Sequence, residues 1–235
     1  MTNISELPPS KLGTQEYWQN VYSRELENPD QDVGPGWFGA QATNRVVNWV
    51  EKNFEDQKVK ILDIGCGGGE VLIELFERGF TDLIGTDYCS SAIEVCHENL
   101  KKSSFPEDSI LFLNHDIVTQ SLVVSKDSNK IQVVSDDKAD ENFGAKFTVC
   151  LDKGTFDAIS LSPVDAAGQR GQYIKKLLSM MAEDSFFVIV SCNWTTDELK
   201  EHFKEMSFVE ELKGRSFSFG GQTGQDVSTC VFKLK

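Results

Sequence analysis

The feature that most constrains this chain is a cluster of four glycines directly after a short apolar segment. Residues 61–70 read Ile-Leu-Asp-Ile-Gly-Cys-Gly-Gly-Gly-Glu, and residues 71–76 continue with apolar side chains at helical spacing. This order predicts a buried strand, a turn with no side chain over its backbone, and a helix. In an open α/β sheet such a turn lies at the carboxyl edge, where a nucleoside ligand can lie against bare backbone.

Two ligands compete for this turn. A dinucleotide fingerprint, G-x-G-x-x-G/A, needs a small residue where Glu70 stands, and a carboxylate is a poor neighbour for two phosphates. S-adenosylmethionine has no phosphate and carries a positive sulfonium, so Asp63 before the first glycine suits it. The spacing Asp63-x-Gly65-x-Gly67-x-Gly69 resembles the first motif of the Rossmann-like methyltransferases. A glycine turn that holds no ligand is the third interpretation.

The following segments favour an adenosine site. Asp87 closes a second predicted strand, where a carboxylate is placed to accept both ribose hydroxyls. Tyr88 can pack on the adenine or the ribose. After a third predicted strand, Asp116 can accept from the adenine amine and Ile117 can cover the ring. Without the glycine motif, an ordinary turn would be the favoured interpretation of Asp87, whereas Asp116 is equally typical of an ordinary loop.

Composition limits the classes of protein to which the chain can belong. Its 235 residues suffice for one α/β domain, and no apolar run reaches the length of a membrane helix. The net charge of −14 argues against a nucleic-acid backbone as partner and is compatible with a basic protein substrate. Six scattered cysteines without a C-x-x-C pair indicate reduced thiols in the cytoplasm, and three histidines make a histidine metal site unlikely to form.

Alternating strand and helix patterns predict a Rossmann-like, mostly parallel sheet of seven strands, with helices on both faces and a C-terminal antiparallel hairpin. Residues 1–13 are expected to be a flexible tail and residues 14–235 a single domain. The polar residues 118–146 are expected to form an extended, mobile insertion. Capping boxes are predicted at Ser91-x-x-Glu94 and Thr195-x-x-Glu198.

The end of the fourth predicted strand would face a sulfonium methyl group. It reads Asp152-Lys153-Gly154-Thr155-Phe156-Asp157-Ala158, without the Asn/Asp-Pro-Pro-aromatic segment of DNA-base and glutamine methyltransferases. A lysine amine must lose a proton before it can attack the methyl group. The enzyme must also orient this amine and tolerate the charged methylated product. Asp152 is the candidate for orienting the amine, with a turn cap as the alternative. The aromatic candidates for the channel wall, any of which could instead be a core residue, are Trp37, Phe38, Trp194, Phe217 and Phe219. Of these, Trp194 and Phe219 are predicted with Asp152 as catalytic residues, and Trp37 is also assigned to the cofactor.

The segment at 152–158 resembles the corresponding signature of eukaryotic methyltransferases that modify lysines of translation elongation factor 1-alpha. Four other segments are similar to segments of that family: Leu12–Trp18, Trp37-Phe38-Gly39, Ser191–Thr195 and Phe217–Gly221. The five segments together are specific, and the resemblance covers nearly the whole chain except the tail and residues 118–146. The resemblance implies S-adenosylmethionine as cofactor, S-adenosylhomocysteine as product and a lysine of the elongation factor as substrate. It also implies a cytoplasmic enzyme, which we expect to be a monomer without nucleic-acid or membrane partners.

Two other functions stay open on the sequence. The same core could methylate a small-molecule amine, although the short N-terminal segment favours an open site and a protein substrate. A cofactor-binding scaffold without activity is the other possibility, and the presence of Asp63, the glycines and Asp87 argues against it.

Overall fold

A seven-stranded sheet forms the centre of the molecule. The computed structural model describes residues 5–28, 38–140, 143–214, 217–219, 222–224 and 227–235, and of residues 217–219 and 222–224 it describes the backbone alone. The sheet has the order β3-β2-β1-β6-β7-β11-β8. The first five strands in this order run parallel, and β11 is antiparallel to both β7 and β8. The strands are β3 (Leu111–Asn114), β2 (Leu83–Asp87), β1 (Ile61–Ile64), β6 (Phe147–Lys153), β7 (Met181–Ser191), β11 (Ser228–Leu234) and β8 (Met206–Glu211).

Helices cover both faces of this sheet. One face carries α2 (Gly39–Asn53), α3 (Glu70–Glu77) and α4 (Ser90–Lys102), and the other carries α5 (Thr155–Ser160), α6 (Ala166–Met180) and α7 (Thr196–His202). A further helix, α1 (Gln15–Glu27), precedes them and packs against α4. The predicted fold class is therefore confirmed. None of the described helices is long and apolar enough to cross a bilayer.

Alternate side chains along the central strands divide the core into two layers. Ile61 packs with α2 and α3, whereas Leu62 and Ile64 pack with the helices of the opposite face. Each strand is therefore apolar on both sides, which is typical of a parallel sheet that helices cover twice. This burial fixes the strand register, and the register brings the ends of β1, β2 and β6 to one edge.

Residues 118–146, predicted as an extended, mobile insertion, contain regular secondary structure. The chain forms an antiparallel hairpin there, β4 (Gln120–Val124) and β5 (Ile131–Ser135), followed by a short 3-10 helix at Asp136–Lys138. Leu122 is buried in the core layer that contains α6, and the backbone of Ala145 donates to its carbonyl over 2.9 Å. β-Branched residues at 123–124, 131 and 133–134 favour strands, and they outweigh the polar composition of the flanking residues.

Residues 5–13 of the predicted flexible tail are also more structured than predicted. Leu7 packs against the core, and a 3-10 helix spans Lys11–Gly13. The amide of Ser10 donates to the carbonyl of Leu161 over 3.0 Å. Within the described range, residues 5–13 therefore lie along the body of the protein.

The two predicted capping boxes have different outcomes. Thr195 and Glu198 form a capping box at the start of α7, as predicted. Ser91 does not cap α4, because the N-cap residue is Cys89 and the Ser91 hydroxyl donates to the carbonyl of Gln19 in α1. The prediction for Ser91 is wrong because a tertiary contact uses the hydroxyl. Two short paired strands, β9 (Phe217–Phe219) and β10 (Gln222–Gly224), complete the fold.

Candidate active site

The glycine turn between β1 and α3 presents bare backbone to a cleft. Gly65, Gly67 and Gly69 have φ values of +67°, +56° and +80°, a region that disfavours other residues. A Cβ atom on Gly65 would lie 1.8 Å from the Thr155 hydroxyl oxygen, and one on Gly67 would lie 2.7 Å from the Tyr22 hydroxyl oxygen. The turn thus needs glycine both for its backbone conformation and for the space above it.

The cleft has a volume of about 710 Å³ and lies at the carboxyl ends of β1, β2 and β6. This volume is in the range of sites that enclose small organic ligands. Six of the predicted cofactor residues line it: Gly65, Gly67, Asp87, Tyr88, Asp116 and Ile117. Gly69 is instead the N-cap residue of α3 and faces Cys96 and Phe112 of the core.

Asp63 lies behind the turn, buried in the sheet, and does not line the cleft. Its side chain is 2% exposed, and Oδ1 has no hydrogen-bond partner in the described part of the chain. Burial raises the pKa of this carboxyl to about 7, and the nearby cation of Lys153 opposes the rise. A buried oxygen without a partner beside a bare turn suits a ligand that brings a positive charge or a hydrogen-bond donor.

Asp87 faces the cleft from the end of β2. One carboxylate oxygen accepts from the amide of Gly67 over 3.1 Å and the other from the amide of Cys89 over 2.9 Å. Burial raises the pKa of Asp87 to about 6, and these amide donors oppose the rise. Each oxygen keeps a lone pair for another donor, as recognition of a ribose diol requires.

The loop after β3 supplies the other predicted adenine contacts. The carboxylate of Asp116 accepts from the amide of Val118 over 2.9 Å and from the hydroxyl of Thr119 over 2.7 Å. These bonds fix the loop while Asp116 and Ile117 both line the cleft. Asp116 therefore both stabilises the loop after β3 and lines the cleft.

Asp152 and Trp194, two of the three predicted catalytic residues, do not line the cleft. The Asp152 carboxylate is 1% exposed and accepts from the amides of Thr155 and Phe156 over 2.9 and 3.0 Å and from the Tyr173 hydroxyl over 2.5 Å. Burial raises the pKa of Asp152 to about 7. These contacts correspond to the turn-cap alternative and give no support to amine orientation, because the carboxylate already binds the start of α5 and a tyrosine.

Trp194 is a buried core residue. It is 2% exposed, its indole N–H donates to the Ser160 hydroxyl over 3.1 Å, and its ring packs against His202 with centroids 4.5 Å apart. The third predicted catalytic residue, Phe219, belongs to β9, where the side chain lies outside the described part. Trp37 also lies outside the described residues.

Sequence reasoning missed the cleft wall that α1 provides. Trp18 and Tyr22 stack with ring centroids 6.3 Å apart and line the cleft, and Phe38, a predicted wall residue, lines it as well. The Gln15 side chain donates to the carbonyl of Tyr88 over 2.7 Å, which ties α1 to the end of β2. The i, i+4 spacing of Trp18 and Tyr22 was visible in the sequence, but no pattern there indicated that α1 covers the glycine turn.

Comparison with known proteins agrees with this geometry. A family model described as a methyltransferase domain matches residues 55–230, so the fold and the site are those of a methyltransferase domain. Among solved structures, magnesium protoporphyrin IX methyltransferase from Synechocystis PCC 6803 with bound SAM superposes with a TM-score of 0.59 at 10% identity, covering 93% of this chain and 97% of that one. N-methyltransferase NodS from Bradyrhizobium japonicum WM9 in complex with S-adenosyl-L-homocysteine gives 0.58 at 14% identity, covering 92% and 98%.

Curated relatives show to which family of methyltransferases the chain belongs. EEF1A lysine methyltransferase 2 from Danio rerio is 38% identical over 99% of this chain and 91% of its own length. The Homo sapiens protein of the same name is 38% identical over 96% and 87%, respectively. Protein-lysine N-methyltransferase efm4 from Schizosaccharomyces pombe is 35% identical over 98% and 97%. The chain belongs to this family of lysine methyltransferases.

Proposed function

We propose that this protein transfers the methyl group of S-adenosylmethionine to a lysine of translation elongation factor 1-alpha. The substrate assignment is carried by one observation, the 38% identity over 99% of the chain to a relative named for that activity. The residues around the glycine turn fit the cofactor, because an unpartnered buried carboxylate and a side-chain-free backbone meet there.

We assign cofactor contacts to the predicted residues at the cleft. Asp63 would attract the ammonium group, directly or through water, and Gly65 and Gly67 would leave room for the methionine chain. Asp87 would accept from the ribose hydroxyls. The adenine would lie near Tyr88, Asp116 and Ile117.

S-adenosylmethionine supplies, when bound, a methyl group on a positively charged sulfur. The protein must then align the substrate amine and keep water out. A lysine amine starts with a pKa near ~10.4, and an apolar channel favours its neutral, nucleophilic form. Trp18 and Tyr22 offer aromatic faces that tolerate the charged methylated product.

We further propose that the enzyme acts as a cytoplasmic monomer on a protein substrate, without nucleic-acid or membrane partners. The net charge of −14 supports this view, because a nucleic-acid backbone calls for a basic face. Reduced cysteines support a cytoplasmic location: the described chain holds six free thiols, five of them buried.

The direct test is transfer of radiolabel from S-adenosylmethionine to purified elongation factor 1-alpha, with calorimetry of cofactor binding in parallel. The matched negative control is Gly67→Arg, whose side chain would collide with Tyr22 and fill the cleft. We expect labelling by the wild type, and we expect Gly67→Arg to lose both labelling and cofactor binding while keeping its circular dichroism spectrum. Cofactor binding without labelling of the factor would remove the substrate assignment, and labelling of a metabolite amine would replace it.

A further inference from the structure

The first described residues of the chain form a strap across the loop that joins α5 to α6. We define the strap as residues 5–14, which end at Thr14, the N-cap of α1. Its backbone meets Leu161 so closely that a Cβ atom on Gly13 would lie 2.1 Å from the Leu161 carbonyl oxygen. The Ser10 amide donates to the same carbonyl oxygen over 3.0 Å. The strap therefore lies in direct backbone contact with the end of α5.

An ion pair fastens the other end of the strap. Arg170 of α6 is 5% exposed, and its guanidinium lies 2.6 Å from a carboxylate oxygen of the largely exposed Glu6. The guanidinium also lies over the ring of Trp194, 5.6 Å from its centroid. Trp194 thus supports the cation that holds the strap. Leu7, next to Glu6, packs on the same core layer.

The strap also leads directly into the cleft. Because β2 and β6 flank β1 on opposite sides, the cleft has a β2 side with the predicted adenosine residues and a β6 side next to α5. On the β6 side, Gly13 of the strap and Trp18 of α1 line the cleft, and the Trp18 indole N–H donates to the Leu12 carbonyl over 2.7 Å. The other residues that line this side come from α5 (Ala158 and Ile159), the loop after it (Ser162) and α6 (Gln169).

The chemistry of these walls suits a lysine side chain that must be neutral to react. Gly13, Trp18 and these four other residues carry no charged side chain, so they offer no carboxylate that would hold the substrate amine as an ammonium. Lys153, which also lines the cleft, lies 3.9 Å from Glu70 of α3. Apolar and aromatic surface along the entrance would favour the alkyl stem of lysine.

We propose that the strap is the substrate-facing wall of the cleft and that the Glu6–Arg170 ion pair positions it for the lysine of the protein substrate. This inference rests on the proposed function. Glu6 and Arg170 are positioning residues, since they act through the strap and touch neither the cleft nor the predicted cofactor residues.

The test separates substrate binding from cofactor binding and from folding. Glu6→Gln keeps the shape of the side chain and removes its charge, Gly13→Ala pushes the strap from Leu161, and Glu107→Gln is the control on the exposed loop before β3. For each variant we measure KM and kcat on elongation factor 1-alpha, the Kd of S-adenosylmethionine by calorimetry, and the melting temperature. We expect KM to rise about three- to fivefold in Glu6→Gln and more than tenfold in Gly13→Ala. The cofactor Kd should stay within about twofold of the wild type.

Two results would overturn the proposal. Wild-type KM in Glu6→Gln would show that the ion pair does not position the substrate wall, even if Gly13→Ala fails to fold. A parallel loss of kcat, cofactor affinity and melting temperature, without a selective change in KM, would assign the strap a merely structural role. Failure of the proposed function itself is distinguishable, because the wild-type enzyme would then label no elongation factor.

Discussion

Asp63 should make the folded protein less stable as the pH rises, and Asp63→Asn should remove this contribution to the pH dependence of stability. The carboxyl is 2% exposed, and burial raises its pKa to about 7. In the unfolded chain its pKa is about 3.9. Since the folded pKa is the higher one, the folded state holds the proton more tightly. The resulting stability is fully present below about pH 3.9 and is lost as the pH rises through 7.

The size of the effect follows from the two pKa values. The gap between about 3.9 and about 7 corresponds to about 4 kcal/mol of unfolding free energy, which is fully lost only at about pH 8 and above. Roughly one third of this is already lost at pH 5, because the unfolded chain is ionised there. The remaining part, about 3 kcal/mol, should disappear between pH 5 and about pH 8.

Urea unfolding of the wild type and of Asp63→Asn at pH 5, 6, 7 and 8 measures this loss. The free-energy difference between the two should shift by about 3 kcal/mol in favour of the variant over this range and then level off. Asp108→Asn, an exposed acid before β3, is the matched control and should show no such trend. A difference that stays constant with pH would refute the argument that Asp63 carries a buried, uncompensated charge.

The same variant separates stability from function. A positively charged group of the cofactor next to Asp63 would favour the ionised carboxyl, so cofactor binding should release a proton near pH 7. Asp63→Asn should therefore bind S-adenosylmethionine at least about tenfold more weakly, although removal of the carboxyl increasingly favours the stability of the ligand-free form as the pH rises to 8. Calorimetry in buffers of different ionisation enthalpy measures both the affinity and the proton release.

Three further substitutions test other parts of the site. Asp152→Asn should lower the unfolding free energy by about 2–3 kcal/mol. Three groups, including the Tyr173 hydroxyl, donate to the Asp152 carboxylate, and in the variant one of them would face an amide N–H instead. An unchanged melting temperature would contradict this. Leu122→Ala should cost about 2–4 kcal/mol in urea unfolding if the hairpin belongs to the core, and a surface hairpin would lose far less. Tyr22→Phe should weaken cofactor binding by about fivefold in calorimetry without unfolding the protein, and wild-type affinity would exclude the hydroxyl from the site.

The strands of the main sheet could be predicted because their apolar sequence pattern matches their burial in the structure. Residues 61–64 are apolar on both faces except for Asp63, and the glycine turn marks where the strand ends. Asp87 and Asp116 were predictable for a related reason, since the carboxyl ends of neighbouring parallel strands must meet at one edge. The chain order alone places these acids together.

The substrate side was not predictable, because it depends on contacts between distant segments. Asp152 has the residue type and the position of a catalytic acid, but a tyrosine twenty-one residues away along the chain determines where its carboxylate is held. The sequence around Trp194 and around the Trp18–Tyr22 pair of α1 does not show which of these aromatic residues lies in the core and which lines the cleft. The tertiary packing decides this, because it buries Trp194 and brings Trp18 and Tyr22 to the cleft. The strap shows no periodicity, so its contact with Leu161 left no pattern to detect.

One contact joins the two sides of the cleft. The Thr155 hydroxyl of the α5 start donates to the carbonyl of Ile64 over 2.8 Å and occupies the space that Gly65 leaves free. The glycine turn and the start of α5 therefore cannot move independently without breaking this bond or creating an overlap. In-line methyl transfer is sensitive to misplacement of about 1 Å. Because the Asp152 carboxylate accepts from the amide of Thr155 over 2.9 Å, the buried acid that we first expected at the amine instead fixes the start of α5, which contacts the glycine turn.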